Sequence, residues 1–209
     1  MGLINGTEDV NGLEEDLDKL NESEMAFNID KCQIMHFGQG NMKANYTLGG
    51  KILNKGDSVN DLGITISNGF KFSRHYSAMV KKANQMLGFI RASISSRNRA
   101  VILPLYKSLV RPHLEYAVQF WSPHFRKDIN NIEKVQRRAT KLIDTLASRT
   151  YEDRLRHLNL YSLEKHRRRG DLTQAFKIIK GIDSIGNLWA FSTDNRTRGH
   201  DLKLVKTQD

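Results

Sequence analysis

Two opposed patterns at the helical period run through residues 128–147. Ile132, Val135, Ala139, Leu142, Ile143 and Leu146 share one arc, while Lys134, Arg137, Arg138 and Lys141 cluster near the opposite arc. At about 100° per residue, each set falls within roughly 100° of the wheel. The spacing predicts a helix from about Asp128 to Ala147 that packs by one face and presents a cationic stripe on the other.

The same period governs the chain from Ser73 onward. Ser73 can cap a helix in which Tyr76, Met79, Val80, Ala83, Met86, Leu87, Ile90 and Ile94 span roughly 120° of the wheel, with Arg74, Lys81 and Gln85 pointing away. A second helix is expected from about Asn98 to Val110, with a late start or a kink at Pro104. Pro112 suits the first turn of a third, ending near Trp121-Ser122-Pro123. Thr150 with Asp153 reads as a capping box with Asp in the Glu position, opening a short helix through Leu158. Ser162 caps a last helix carrying Arg167, Arg168 and Arg169, and Gly181 terminates it. Ile90, Leu109, Val135, Leu142 and Phe176 are expected to be buried.

Before Ser73 the pattern differs. Residues from Glu8 to about Met25 form an acidic amphipathic pattern, with Val10, Leu13, Leu17 and Leu20 on one helical face. Short strands follow: Cys32 to Phe37, then Tyr46-Thr47-Leu48 against Lys51-Ile52-Leu53 across the hairpin signal Gly49-Gly50. The stretch from Asp61 to Ile66 alternates and stops at Asn68-Gly69, a turn and the candidate domain boundary. The fold class is thus α+β, with strands and one acidic helix first and an all-α region after.

Charge narrows the partner. The chain holds 33 Lys and Arg against 23 Asp and Glu, a net +10. Residues 1–30 contain nine of the acids and one base, Lys19, which leaves 32 bases and 14 acids, a net +18, for the remainder. A segment that basic attracts a polyanion, nucleic acid first. The single cysteine, Cys32, forms no internal disulfide and fits a reducing compartment. No apolar run is long enough to span a bilayer and the start lacks a signal peptide, so an intracellular location, cytoplasm or nucleus, is expected without a membrane partner. The seven histidines are scattered without zinc-ligand spacing, and no phosphate loop or dinucleotide fingerprint is present.

Several longer strings form a recognisable whole. The run from Met25 to Gly38 resembles the segment that follows the catalytic turn in reverse transcriptases of LINE-type (non-LTR) retrotransposons of the jockey and CR1 kind. Asp61-Leu62-Gly63-Ile64 is similar to the next strand of that family. Lys82-Ala83-Asn84-Gln85-Met86-Leu87-Gly88, the run from Leu103 to Pro123, Val135-Gln136-Arg137-Arg138-Ala139-Thr140-Lys141 and Arg169-Gly170-Asp171-Leu172 extend the resemblance. It covers about Glu8 to about Lys206.

The resemblance implies an RNA-directed DNA polymerase in part. That family polymerises with two Mg²⁺ ions held by carboxylates, two of them an Asp-Asp pair in a tight turn. This chain has no Asp-Asp dipeptide, so no catalytic set is complete and no cofactor is expected in this chain alone. Lys31 matches the lysine of polymerase motif D, where a cation protonates or neutralises leaving pyrophosphate. Residues 1–68 then correspond to the end of a palm, with the Tyr46–Ile66 strands similar to a primer grip; 69–181 form a thumb-like helical bundle; and 182–209 are a truncated polar tail. The stretch from Leu20 to Met25 is shorter than in the family and lacks its Trp residues, and family members continue past Asp209, which implies a partial or decayed copy. The expected partners are RNA, RNA–DNA hybrid or DNA, and an upstream polymerase segment. Candidate phosphate contacts are Lys134, Arg137, Arg138, Lys141, Arg167, Arg168 and Arg169. Two other readings stay open: a non-functional translated retrotransposon remnant with an inherited, unused basic surface, and part of an active polymerase completed in trans.

Overall fold

The computed structural model describes residues 28–38 and 41–183, together with 12, 15–17 and 19. The fold is α+β. Those five early residues are helical, but most of the acidic amphipathic segment, and the tail beyond residue 183, lie outside the described residues. The chain divides into two compact units, Met1–Met79 and Val80–Asp209, with the division inside a helix.

In the first unit a 3₁₀ turn, Ile29–Lys31, precedes six short strands: β1 Gln33–Ile34, β2 Thr47–Leu48, β3 Lys51–Ile52, β4 Asn54–Lys55, β5 Ser58–Asp61 and β6 Ile64–Ser67. They pair as β1 with β4 in parallel, and as the antiparallel hairpins β2–β3 and β5–β6. The strand expected from Cys32 to Phe37 is therefore only two residues long. The β2–β3 turn is the expected Gly49-Gly50, both at positive φ (57° and 74°), the geometry a two-residue hairpin loop needs. Asp61 to Ile66 is not one alternating strand. It folds back at Leu62-Gly63, with Asp61 opposite Ile64, at φ values of 47° and 82°. Tyr46, Leu48, Leu53, Ile64, Tyr76 and Met79 are buried in this unit.

Helix α1, Ser73–Ser93, carries the expected apolar arc, with Ala83, Leu87 and Ile90 buried and Lys81 and Gln85 exposed. Ser73 is its first helical residue, and the carbonyl of Phe72 accepts the first helical bond from Tyr76, so the cap lies one residue earlier than expected.

The next helix is continuous past Val110. Asn98 caps α2, Arg99–Leu105, by accepting from the Ala100 amide at 2.9 Å. Pro104 has no N–H to give, and beyond it the helix widens into a π turn, Tyr106–Val110, that runs directly into α3, Arg111–Glu115. Ile102, Tyr106, Val110 and Leu114 are all buried, spaced by four. In a regular helix such a seam drifts by about 40° per step. The wide turn winds less per residue and keeps the seam on one side. It also carries Leu109 out of the core: expected to be buried, Leu109 is exposed.

Pro112 sits in the first turn of α3 as expected, but the helix stops at Glu115. Ala117 adopts a left-handed conformation (φ 50°), and a separate turn, α4 Val118–Trp121, follows. The buried Trp121 indole donates to the Tyr116 carbonyl at 2.7 Å, satisfying a group that the break sets free.

Helix α5 runs Arg126–Lys141, and a 3₁₀ turn, Asp144–Leu146, completes the segment expected to be helical to Ala147. Ile132, Val135, Ala139, Ile143 and Leu146 are buried and Leu142 is half-buried. Helix α6, Tyr151–Leu158, starts at Thr150, whose Oγ1 accepts from the Asp153 amide and donates to the Asp153 carboxylate. The hydroxyl contact lowers the Asp153 carboxyl pKa. Ser162 caps α7, Leu163–Ile179, by accepting from the Lys165 amide. Gly181 (φ 68°) closes it, with Ile182 N–H reaching the Lys177 carbonyl at 2.9 Å. Phe176, expected in the core, is exposed. It lies about 140° from Leu163 on the wheel, away from the side that α7 buries.

Leu62 is one of the positions, with Lys43, Phe70 and Ala117, where the backbone and the residue disagree. A left-handed Leu brings Cβ against the following carbonyl, a cost of about 1–2 kcal/mol that Asn partly avoids. Leu62→Asn is expected to raise stability by roughly 1 kcal/mol, read as a higher urea midpoint at an unchanged denaturant slope.

Candidate nucleic-acid interface

Lys134, Arg137, Arg138 and Lys141 lie on the solvent side of α5, and all four are exposed. Seven residues of helix separate the first from the last by about 10 Å. Among the described residues none of the four is in an ion pair. Arg138 donates to the neutral Asn84 side chain at 3.0 Å, and Arg137 lies 4.5 Å over the Tyr151 ring. A solvated row of cations without carboxylate partners is available to phosphates.

The arginine run on α7 separates into different roles. Arg168 is exposed but bound to Glu164 at 3.0 Å. Arg169 is exposed and lies 5.8 Å from the Tyr161 ring centroid. Arg167 is not a surface contact: it is 3% exposed, on the inward side of α7 with Leu163. Its two terminal nitrogens have no hydrogen-bond partner. Burial lowers the guanidinium pKa, and Glu133, Glu164, Glu115 and Asp171 oppose that shift. Lys31 is exposed at the end of its 3₁₀ turn. Among the described residues no group of three or more His, Cys, Asp or Glu is placed to hold a metal ion.

The inner side of α5 holds what the sequence reading missed. Glu133 and Gln136 are buried polar residues at the heart of the helical unit. The Glu133 carboxylate accepts from the Tyr151 hydroxyl, from the Leu163 amide at 3.2 Å and from the Glu164 amide at 3.4 Å. These are the first two amides of α7, so a side chain of α5 caps the N-terminus of another helix. Gln136 accepts from the Tyr106 hydroxyl at 2.6 Å and donates to the Tyr151 hydroxyl and the Tyr161 carbonyl. Burial pushes both phenol pKa values well up, and for Tyr151 the bond to Glu133 adds to the shift. On the wheel Gln136 falls between Ile129 and Ile143, on the buried side of α5, and a polar residue there is the signal that could have found this network. Arg154, also buried, donates to Thr140 Oγ1 and to the Arg149 and Arg137 carbonyls, tying α6 to the end of α5.

Between α5, α6 and the start of α7 lies an open groove of about 790 Å³. Arg126, Arg137, Arg156 and Lys165 line it, with Tyr151 and Tyr161, Asn130 and Asn159, and the carboxylates of Glu133, Glu152 and Glu164. Among the described residues no helix is long and apolar enough to cross a membrane.

The chain matches no protein-family model, no curated protein and no solved structure.

Glu133→Ala removes the acceptor of a buried hydroxyl and two buried amides at once. The expected loss of stability is about 3 kcal/mol, measured by urea unfolding followed by circular dichroism.

Proposed function

We propose that the chain is a partial LINE-type reverse transcriptase, the end of a palm and a thumb-like helical unit, which grips a template–primer duplex by its phosphates and carries no polymerase centre of its own. The observation that carries this reading is the exposed row of Lys134, Arg137, Arg138 and Lys141, free of acidic partners among the described residues. The sequence strings that resemble the LINE family support the same assignment. Arg169 adds a cation on α7, and Arg168 adds one that must first leave Glu164. Arg167 is excluded from the contact set by its burial.

Contacts of this kind read charge and backbone shape and carry no base identity. RNA–DNA hybrid and duplex RNA should therefore bind with little sequence preference. With about six phosphates neutralised, affinity falls on the order of 10³-fold between about 50 and 200 mM salt. Reversing Lys134, Arg138 and Lys141 to Glu leaves the Arg137–Tyr151 contact in place. The triple variant should keep its helical spectrum, bind every blunt duplex more weakly and show a shallower salt slope in fluorescence anisotropy. Binding equal to wild type, or affinity indifferent to salt, would sink the reading.

A further inference from the structure

The groove beside the cationic row has a different chemistry from the row itself. Its floor is apolar, from Ile129, Leu155 and Leu160. Tyr161 is half-exposed at one wall, its backbone fixed by the bond from Gln136 to its carbonyl. Lys165 Nζ lies 5.0 Å from the centroid of the Tyr161 ring. Asn130 and Asn159 each bring both an amide donor and an acceptor.

The carboxylates restrict what can enter. Glu133 is occupied by the Tyr151 hydroxyl, the Gln136 side-chain amide and the two α7 amides, and Glu164 by Arg126 and Arg168 at 3.1 and 3.0 Å. Glu152 is exposed at the groove and faces whatever binds. A bare anion would meet that carboxylate along with the cations. A planar ligand with apolar faces, an edge rich in donors and acceptors, and one phosphate satisfies all of these groups together. The faces stack on Tyr161 once Lys165 leaves that ring for the phosphate, the amide side chains and Glu152 meet the edge, and Arg156 joins Lys165 at the phosphate on leaving Asp153, to which it is paired at 3.1 Å. At about 790 Å³ the groove falls within the size range of small-ligand sites.

We propose that this groove binds a single unpaired nucleotide, the base stacked on Tyr161 and the phosphate held by Lys165 and Arg156. The inference rests on the nucleic-acid reading above and adds a second, base-contacting subsite to the phosphate-contacting row. A flanking or displaced nucleotide of the bound strand is its occupant, and stacking makes it tolerant of base identity.

The test uses the full chain and three probes: adenosine 5′-monophosphate, uridine 5′-monophosphate and inorganic phosphate, titrated by isothermal calorimetry. Both nucleotides should bind saturably and compete with each other, with inorganic phosphate at least about tenfold weaker. Tyr161→Ala should weaken nucleotide binding by about tenfold or more, and Tyr161→Phe should restore it. Tyr161→Ala should also lower affinity for a duplex with a two-nucleotide overhang more than for a blunt duplex. Absence of nucleotide binding, equal affinity for phosphate, or a Tyr161→Ala variant that binds nucleotide as wild type does would overturn the proposal. If that happens while the Lys134, Arg138 and Lys141 reversals still weaken blunt-duplex binding, only the groove assignment fails. Nucleotide binding lost in Tyr161→Ala, beside duplex binding that ignores those reversals, supports the groove and removes the duplex reading alone.

Discussion

A carboxylate buried among helices must be met by donors, because leaving it unpaired costs more than most single contacts return. Glu133 meets this condition with groups from two other helices, the Tyr151 hydroxyl on α6 and the first amides of α7. Its negative charge also lies at the positive end of the α7 dipole, where it is favoured. The geometry of the site follows from this contact. Ser162 fixes the phase of α7 by its own cap, Glu133 fixes where that helix begins relative to α5, and Gln136 locks the Tyr161 backbone and Tyr106 to the same node. A packed apolar core would hold the helices together, but it would not specify these positions as narrowly, since apolar contacts have no direction.

The consequence for the surface is that one helix sets two chemistries. The α5 face that bears Glu133 and Gln136 orients α6 and α7, and the groove lies between them. The opposite face bears Lys134, Arg138 and Lys141. Arg137 belongs to both, exposed like its neighbours yet seated on the Tyr151 ring. The proposed duplex contact and the proposed nucleotide groove would thus be held at a fixed spacing by one helix, and a nucleic-acid surface uses such spacing because phosphates position a strand and bases then fall at fixed offsets from them.

Local signals in the sequence were informative where one residue fixes one backbone feature. Gly49-Gly50, the Thr150 and Ser162 caps and the Gly181 stop each lie where the chain placed them, because each rule involves a few neighbouring atoms. The apolar arc and cationic stripe of α5 were legible for the same reason, as periodicity on one helix. What escaped was set by tertiary context. The π turn after Pro104 moved the buried seam from Leu109 to Val110, and no pattern of alternation or period announces an added residue in a turn. The Leu62-Gly63 fold-back took a bulky residue into a left-handed conformation that propensity disfavours. Arg167 belonged by composition to a basic run, but the wheel position it shares with Leu163 turned it inward. The groove was illegible because its walls come from three helices separated in sequence.

The cations of α5 are also explained by the helix that carries them. Arg138 and Lys141 occupy its last turn, where side-chain cations oppose the helix dipole, while its first turn holds Asp128 beside Arg126 and Lys127. Such cations are stabilised without carboxylate partners, so the helix needs no acids on that face. An ion-paired lysine must give up its partner to bind a phosphate, as Arg168 would have to give up Glu164. Lys134 and Lys141 have no such partner among the described residues and bind at no cost beyond desolvation and side-chain ordering. The dipole thus accounts for how the row persists in a folded protein, and the absence of paired acids accounts for why the same row is ready for a polyanion. The two accounts differ in reach. Dipole stabilisation fades within about one helical turn of the end, whereas Lys134 stands two turns from Lys141. Its place in the row is the part that the helix dipole does not explain.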